Sequence, residues 1–131
     1  MFHRNALLPL TFALALSCSS ATGPSVTGDW GGQGASLSLT AAGGTVNYSC
    51  GNGTIDPGWT LDRDGRFAAT GMHSFGGGPV PPGGNHPYPA TYAGQVRGDT
   101  LTFSVTITDL QQTLGPFLLL RNGPVAVQQC V

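Results

Sequence analysis

Thr100-Leu101-Thr102-Phe103-Ser104-Val105-Thr106-Ile107-Thr108 is the stretch on which the fold turns. Apolar and hydroxyl-bearing residues alternate along its whole length. That period of two lays Leu101, Phe103, Val105 and Ile107 on one face and leaves the other to water, as in a half-buried strand. The same alternation recurs on both sides of it. Leu37 and Leu39 alternate with Ser36, Ser38 and Thr40, and Val46, Tyr48 and Cys50 with Asn47 and Ser49; Ala41-Ala42-Gly43-Gly44 between them has the composition of a hairpin turn. A short segment around Ile55 and one from Trp59 to Asp62 come next, and Arg63-Asp64-Gly65-Arg66 turns the chain into a strand from Phe67 to His73. Phe117 to Leu120 is a continuous apolar run, Asn122-Gly123 predicts a hairpin turn, and Val125 to Cys130 is expected to close the chain as a last strand.

Composition fits the same class. The 131 residues include 21 Gly and 10 Pro but only 11 charged side chains, five Arg and six Asp, with neither Lys nor Glu. So much Gly and Pro argues against long helices, and a formal net charge of −1 removes the electrostatic case for nucleic acid. The pattern predicts a single all-β domain of about eight to ten short strands. An antiparallel up-and-down barrel of about eight strands removes the exposed edges most simply. A two-sheet sandwich is the alternative.

The N-terminus reads as an export signal. Arg4 supplies a positive start, Ala6 to Leu16 is apolar, and Ser17-Cys18-Ser19-Ser20 is small and polar. The apolar run falls short of the roughly 20 residues a membrane-spanning helix needs. Ala15-Leu16-Ser17-Cys18 resembles a bacterial lipobox, which implies a lipoprotein signal peptide over 1–17, lipidation of Cys18 and anchorage to the membrane of the cell envelope. Cleavage near Ser19-Ser20-Ala21, giving a periplasmic or secreted protein, is the alternative. Residues 18–25 then form a tether and 26–131 the barrel domain. In an oxidising compartment the remaining thiols, Cys50 and Cys130, are expected to form one disulfide.

Gly28-Asp29-Trp30 matches the G-x-W motif that opens lipocalins, and Val26-Thr27-Gly28-Asp29-Trp30 resembles the first strand of avidin-like barrels. The chain thus resembles small bacterial lipoproteins with a lipocalin- or avidin-like (calycin-type) barrel. The resemblance implies that Arg121, on one of the last strands, packs across Trp30, a structural plug at the barrel base. It also implies an interior able to take a small apolar ligand. No second lipocalin motif and no run like the biotin-binding residues of avidins is present.

The segment from Phe75 to Pro89, with five Gly and five Pro, is expected to be a loop over one mouth. The candidate ligand contacts are Tyr48, Phe67, Phe75, His86, Tyr88, Tyr92, Phe103 and Val105, with a cavity of at least about 300 Å³ expected among the inward ones. Catalytic signatures are missing: there is no Glu, no G-x-S-x-G and no H-E-x-x-H. Asp29, Asp56, Asp64 and Asp99 sit beside Gly or Pro, where turn chemistry accounts for them. His73 and His86 flank the Gly/Pro segment without a third ligand, so no metal or other cofactor is expected. The two function classes are a barrel binding a small apolar ligand and an envelope interaction module with a filled core, its protein partner unidentified.

Overall fold

The computed structural model describes residues 23–76, 84 and 86–128. The proposed signal peptide, Cys18 and Cys130 lie outside them. Nine strands follow in order: β1 (Gly28–Gly32), β2 (Ala35–Thr40), β3 (Gly43–Tyr48), β4 (Gly51–Ile55), β5 (Thr60–Leu61), β6 (Arg66–Phe75), β7 (Tyr88–Arg97), β8 (Thr100–Ile107) and β9 (Gln112–Arg121), with a 3-10 turn at Thr108–Leu110 before the last. They form one sheet in the order β4-β3-β2-β1-β9-β8-β7-β6-β5. β4 also pairs with β6, so eight antiparallel strands close into a barrel, and β5 adds a short ninth strand on the free part of β6. Closure leaves none of the eight with an unpaired edge.

Alternation builds the core directly. Leu37 and Leu39, Val46 and Tyr48, Phe67 and Ala69, Tyr92 and Val96, and the Leu101–Ile107 set all point inward and are buried. Each large side chain so buried contributes about 1.5–3 kcal/mol relative to exposure. The base of the barrel holds the start of β1, the β2–β3 and β7–β8 turns and the end of β9. Here Trp30 Nε1 donates to the Val26 carbonyl at 2.9 Å, and the Arg121 guanidinium lies 4.2 Å from the Trp30 ring centre. The same guanidinium donates to Thr27 O and Ser25 O and pairs with Asp99, so β9 clamps the chain just ahead of β1. That is the Arg-over-Trp contact implied by the resemblance.

Several expected boundaries differ. β3 stops at Tyr48, and Cys50 turns the chain with a left-handed φ of 69° rather than continuing the strand. Phe75 ends β6, while Tyr88 and Pro89 begin β7, so the connection is shorter than 75–89. Pro89 is accommodated near the start of its strand, where one missing donor costs least. The stretch after Gly123 forms no hairpin strand among the described residues. It crosses the outer face of β1 and makes one isolated parallel bridge, Gln33 with Ala126. Gly31 permits the crossing, because a Cβ there would run into the Gly123 carbonyl and Val125. The tail is then fixed by Gly34 N–H to Ala126 O, Ala126 N–H to Gly32 O, Gln128 N–H to Ser49 Oγ and Cys50 N–H to Gln128 O.

Candidate functional site

The end of the barrel opposite Trp30 carries the β1–β2 and β3–β4 turns, the β6–β7 connection and the tail. An aromatic cluster fills its interior. Tyr48 on β3 lies 5.3 Å, ring centre to ring centre, from His73 on β6 and 5.5 Å from Phe117 on β9. His73 meets Phe75 at 4.6 Å, Phe75 meets Tyr88 at 5.9 Å, and His86 covers Tyr88 at 4.2 Å. Phe103 packs on Phe117 at 5.3 Å. The cluster has room because β4 offers glycine on its inward face. Gly53 stands opposite His73 and Gly51 opposite Phe75. A Cβ at Gly53 would collide with the Tyr92 hydroxyl, and one at Gly51 would touch the His73 ring.

Most of the sequence-predicted ligand contacts converge here or just beneath. Tyr48, Phe75, Tyr88 and His86 belong to the cluster, His86 on its exposed side. Tyr92 and Val105 are cross-strand partners one layer further in. Phe67 points the other way, its ring 5.9 Å from that of Trp59 on the base side. The expected interior cavity is not found among these side chains: Tyr48, Phe67, Tyr92, Phe103 and Val105 are 4, 2, 1, 2 and 0 % exposed. A void of about 300 Å³ walled by them would leave far more of their surface accessible. Their own volume fills the barrel, as in other eight-stranded barrels whose interiors are just wide enough for side chains.

His73 and Phe117 join the cluster although neither is among the ligand contacts expected from the sequence. The signal for His73 was present in the alternation Phe67, Ala69, Gly71, His73, Phe75, one face of a strand longer than expected. His73 is 1 % exposed, and neither of its ring nitrogens has a hydrogen-bond partner. The Tyr48 hydroxyl is buried beside Tyr92 and interacts with its hydroxyl, which donates to Met72 O at 2.9 Å, and Tyr88 donates to Gly84 O at 2.8 Å. Burial lowers the His73 pKa and keeps the ring neutral. Burial, reinforced by Tyr92, raises the Tyr48 pKa far above the tyrosine range. The buried His73 ring therefore carries two polar atoms that the described residues around it do not satisfy. His73 and His86 are separated by Phe75 and Tyr88, and no three His, Cys, Asp or Glu among the described residues are grouped to hold a metal.

The surface is divided by charge. Asp29, Asp56, Asp62, Arg63, Asp64, Arg66, Arg97, Asp99 and Arg121 all lie toward the base; Asp109 alone of the described charged residues is at the opposite end. The outer face of β9 carries Leu118 and Leu120, 61 and 50 % exposed, where the neighbouring outward positions on β8 are Thr and Ser. With Pro116 of the same strand and Pro124 and Ala126 of the tail they line a groove of about 540 Å³.

Comparison with protein-family models, with curated proteins and with solved structures finds no match for this chain. What stands on the structure is the closed eight-stranded antiparallel barrel itself.

Proposed function

We propose that the protein is an exported, lipid-anchored barrel of the bacterial cell envelope that acts as a non-catalytic interaction module. Its partner is a protein that lays apolar side chains on the outer face of β9 and the adjoining tail. The packed interior carries this reading, because a filled barrel meets its partners through its surface. The exposed Leu118–Leu120 strip supports it, as an apolar strip on an otherwise hydroxyl-bearing wall. The tether supports the orientation. Arg121 holds Ser25 and Thr27 at the base, and the seven residue-to-residue steps from Cys18 to Ser25 reach at most about 25 Å. A lipid on Cys18 would keep the charged base toward the membrane. The Cys50–Cys130 disulfide belongs to the same proposal, since Gln128 is already hydrogen-bonded to Cys50.

A photo-crosslinking residue placed at Leu118 in cells should yield one dominant protein adduct, and the same residue at Thr70, on the opposite wall, should not. Equal labelling at both positions would overturn the reading. So would an adduct to lipid or to a second copy of the chain. A second reading, small-ligand binding, is favoured by one observation: the unsatisfied ring nitrogens of His73 inside the aromatic cluster.

A further inference from the structure

Three features at the loop end fit together once His73 is taken as the anomaly. A buried donor or acceptor without a partner carries its desolvation penalty uncompensated, and an apolar group of the same shape would avoid it. His73 brings two such atoms, both ring nitrogens, into the aromatic cluster beside the buried Tyr48 ring. Packing alone would be served as well or better by Phe at position 73, so stability does not account for the histidine. The Tyr48 and His73 rings are 5.3 Å apart, centre to centre, so both belong to one layer of the cluster. The ring that closes His73 off is Phe75, at 4.6 Å and nearly edge-on. Phe75 is only partly buried and is the last residue of β6. Its phenyl offers His73 contact and no hydrogen bond.

We infer that the loop end is a self-plugged site for a small uncharged aromatic molecule of the phenol class. The Phe75 phenyl occupies the place of the ligand's ring, and His73 and Tyr48 supply hydrogen bonds to its hydroxyl. The inference rests on the small-ligand reading and is independent of the β9 surface. The chemistry of the surroundings sets the class. Facing His73 from β3 is Tyr48, from β4 only Gly51 and Gly53, from β7 Tyr88 and Tyr92, and from β6 Phe75; none carries a charge. An anion or a cation would enter without a counter-charge and is disfavoured. A neutral imidazole has one donor and one acceptor nitrogen, and a phenolic hydroxyl can match either. A planar ring of Phe75's size replaces contacts already present, while its hydroxyl adds hydrogen bonds that Phe75 cannot make.

The test uses phenol and toluene as a matched pair. Phe75→Ala removes the plug; phenol should bind this variant saturably and at least tenfold more tightly than toluene, with the largest NMR shifts on the His73 and Tyr48 rings. Adding His73→Phe should bring the two probes to equal affinity. In the unaltered chain, phenol should shift the same two rings at higher concentration, a measurement that holds even if Phe75→Ala fails to fold. Equal binding of phenol and toluene to Phe75→Ala would overturn the site. Shifts confined to other residues in the unaltered chain would also overturn it. Either failure would leave crosslinking at Leu118 unaffected, so the two readings fail separately.

Discussion

At the scale of single residues the chain keeps a neutral histidine where an apolar ring would do, and this has a pH signature. Because burial lowers the His73 pKa, the folded ring accepts its proton at lower pH than the same ring in the unfolded chain, which titrates near the ordinary value of about 6.5. Above that pH both states are neutral and stability is at its full value. As pH falls through about 6.5 the unfolded chain binds a proton that the folded chain excludes, so stability falls until the folded pKa is passed. Urea midpoints measured between pH 7.5 and 5.5 should therefore decline in the parent chain. His73→Phe should flatten that decline and at pH 7.5 should be neutral or slightly stabilising. An equal decline in the variant would mean that His73 is not the group responsible. His73 was visible in the sequence as a histidine beside the Gly/Pro segment. Its burial was not, because that depends on β6 continuing to Phe75 and on glycines in a strand far off in sequence.

At the scale of elements, β4 shows what alternation conveys and what it omits. Where inward residues are Leu, Val or Phe, as in β2 and β8, the period of two is plain in the sequence. In Gly51-Asn52-Gly53-Thr54-Ile55 the inward positions are Gly, Gly and Ile, so only Ile55 signals a strand. The glycines answer to rings on β6 and β7 that a local reading cannot see. The tail posed the opposite problem: Val125 to Cys130 has the composition of a strand, but the chain crosses β1 at Gly31 instead of pairing along β9. β4 also yields a direct test of the packing. In Gly53→Ala the new methyl would meet the Tyr92 hydroxyl and lie 2.8 Å from the Met72 carbonyl oxygen, breaking the Tyr92–Met72 hydrogen bond. Overpacking of this kind costs about 1–3 kcal/mol. Tyr92→Phe removes the colliding oxygen, so the double variant should recover part of the loss in denaturant unfolding. Strictly additive losses would show that the two side chains do not share the space.

At the scale of the molecule, the barrel is held at its two ends by different chemistry. The base is a polar clamp in which Arg121 joins Trp30, Ser25, Thr27 and Asp99. The opposite end, almost free of charge, is closed by aromatic rings and by the tail laid against Gly34, Ser49 and Cys50. The tail's attachment in the described residues includes a few hydrogen bonds, and bonds of this kind contribute about 0.5–1.5 kcal/mol each. A covalent tie would change that balance. Cys50 N–H already meets Gln128 O, and Cys130 follows two residues later. A bond between them would close a loop of about 80 residues and stabilise the fold by roughly 4 kcal/mol on the chain-entropy model. The intact mass of the exported protein should rise by two hydrogens on reduction, and both thiols should alkylate only after reductant is added. Reduction should lower the unfolding midpoint and speed hydrogen exchange at the Gly34, Cys50 and Gln128 amides, while Trp30 at the far end remains packed until global unfolding. Two thiols that alkylate freely without reductant would rule the bond out, leaving the tail without a covalent tie.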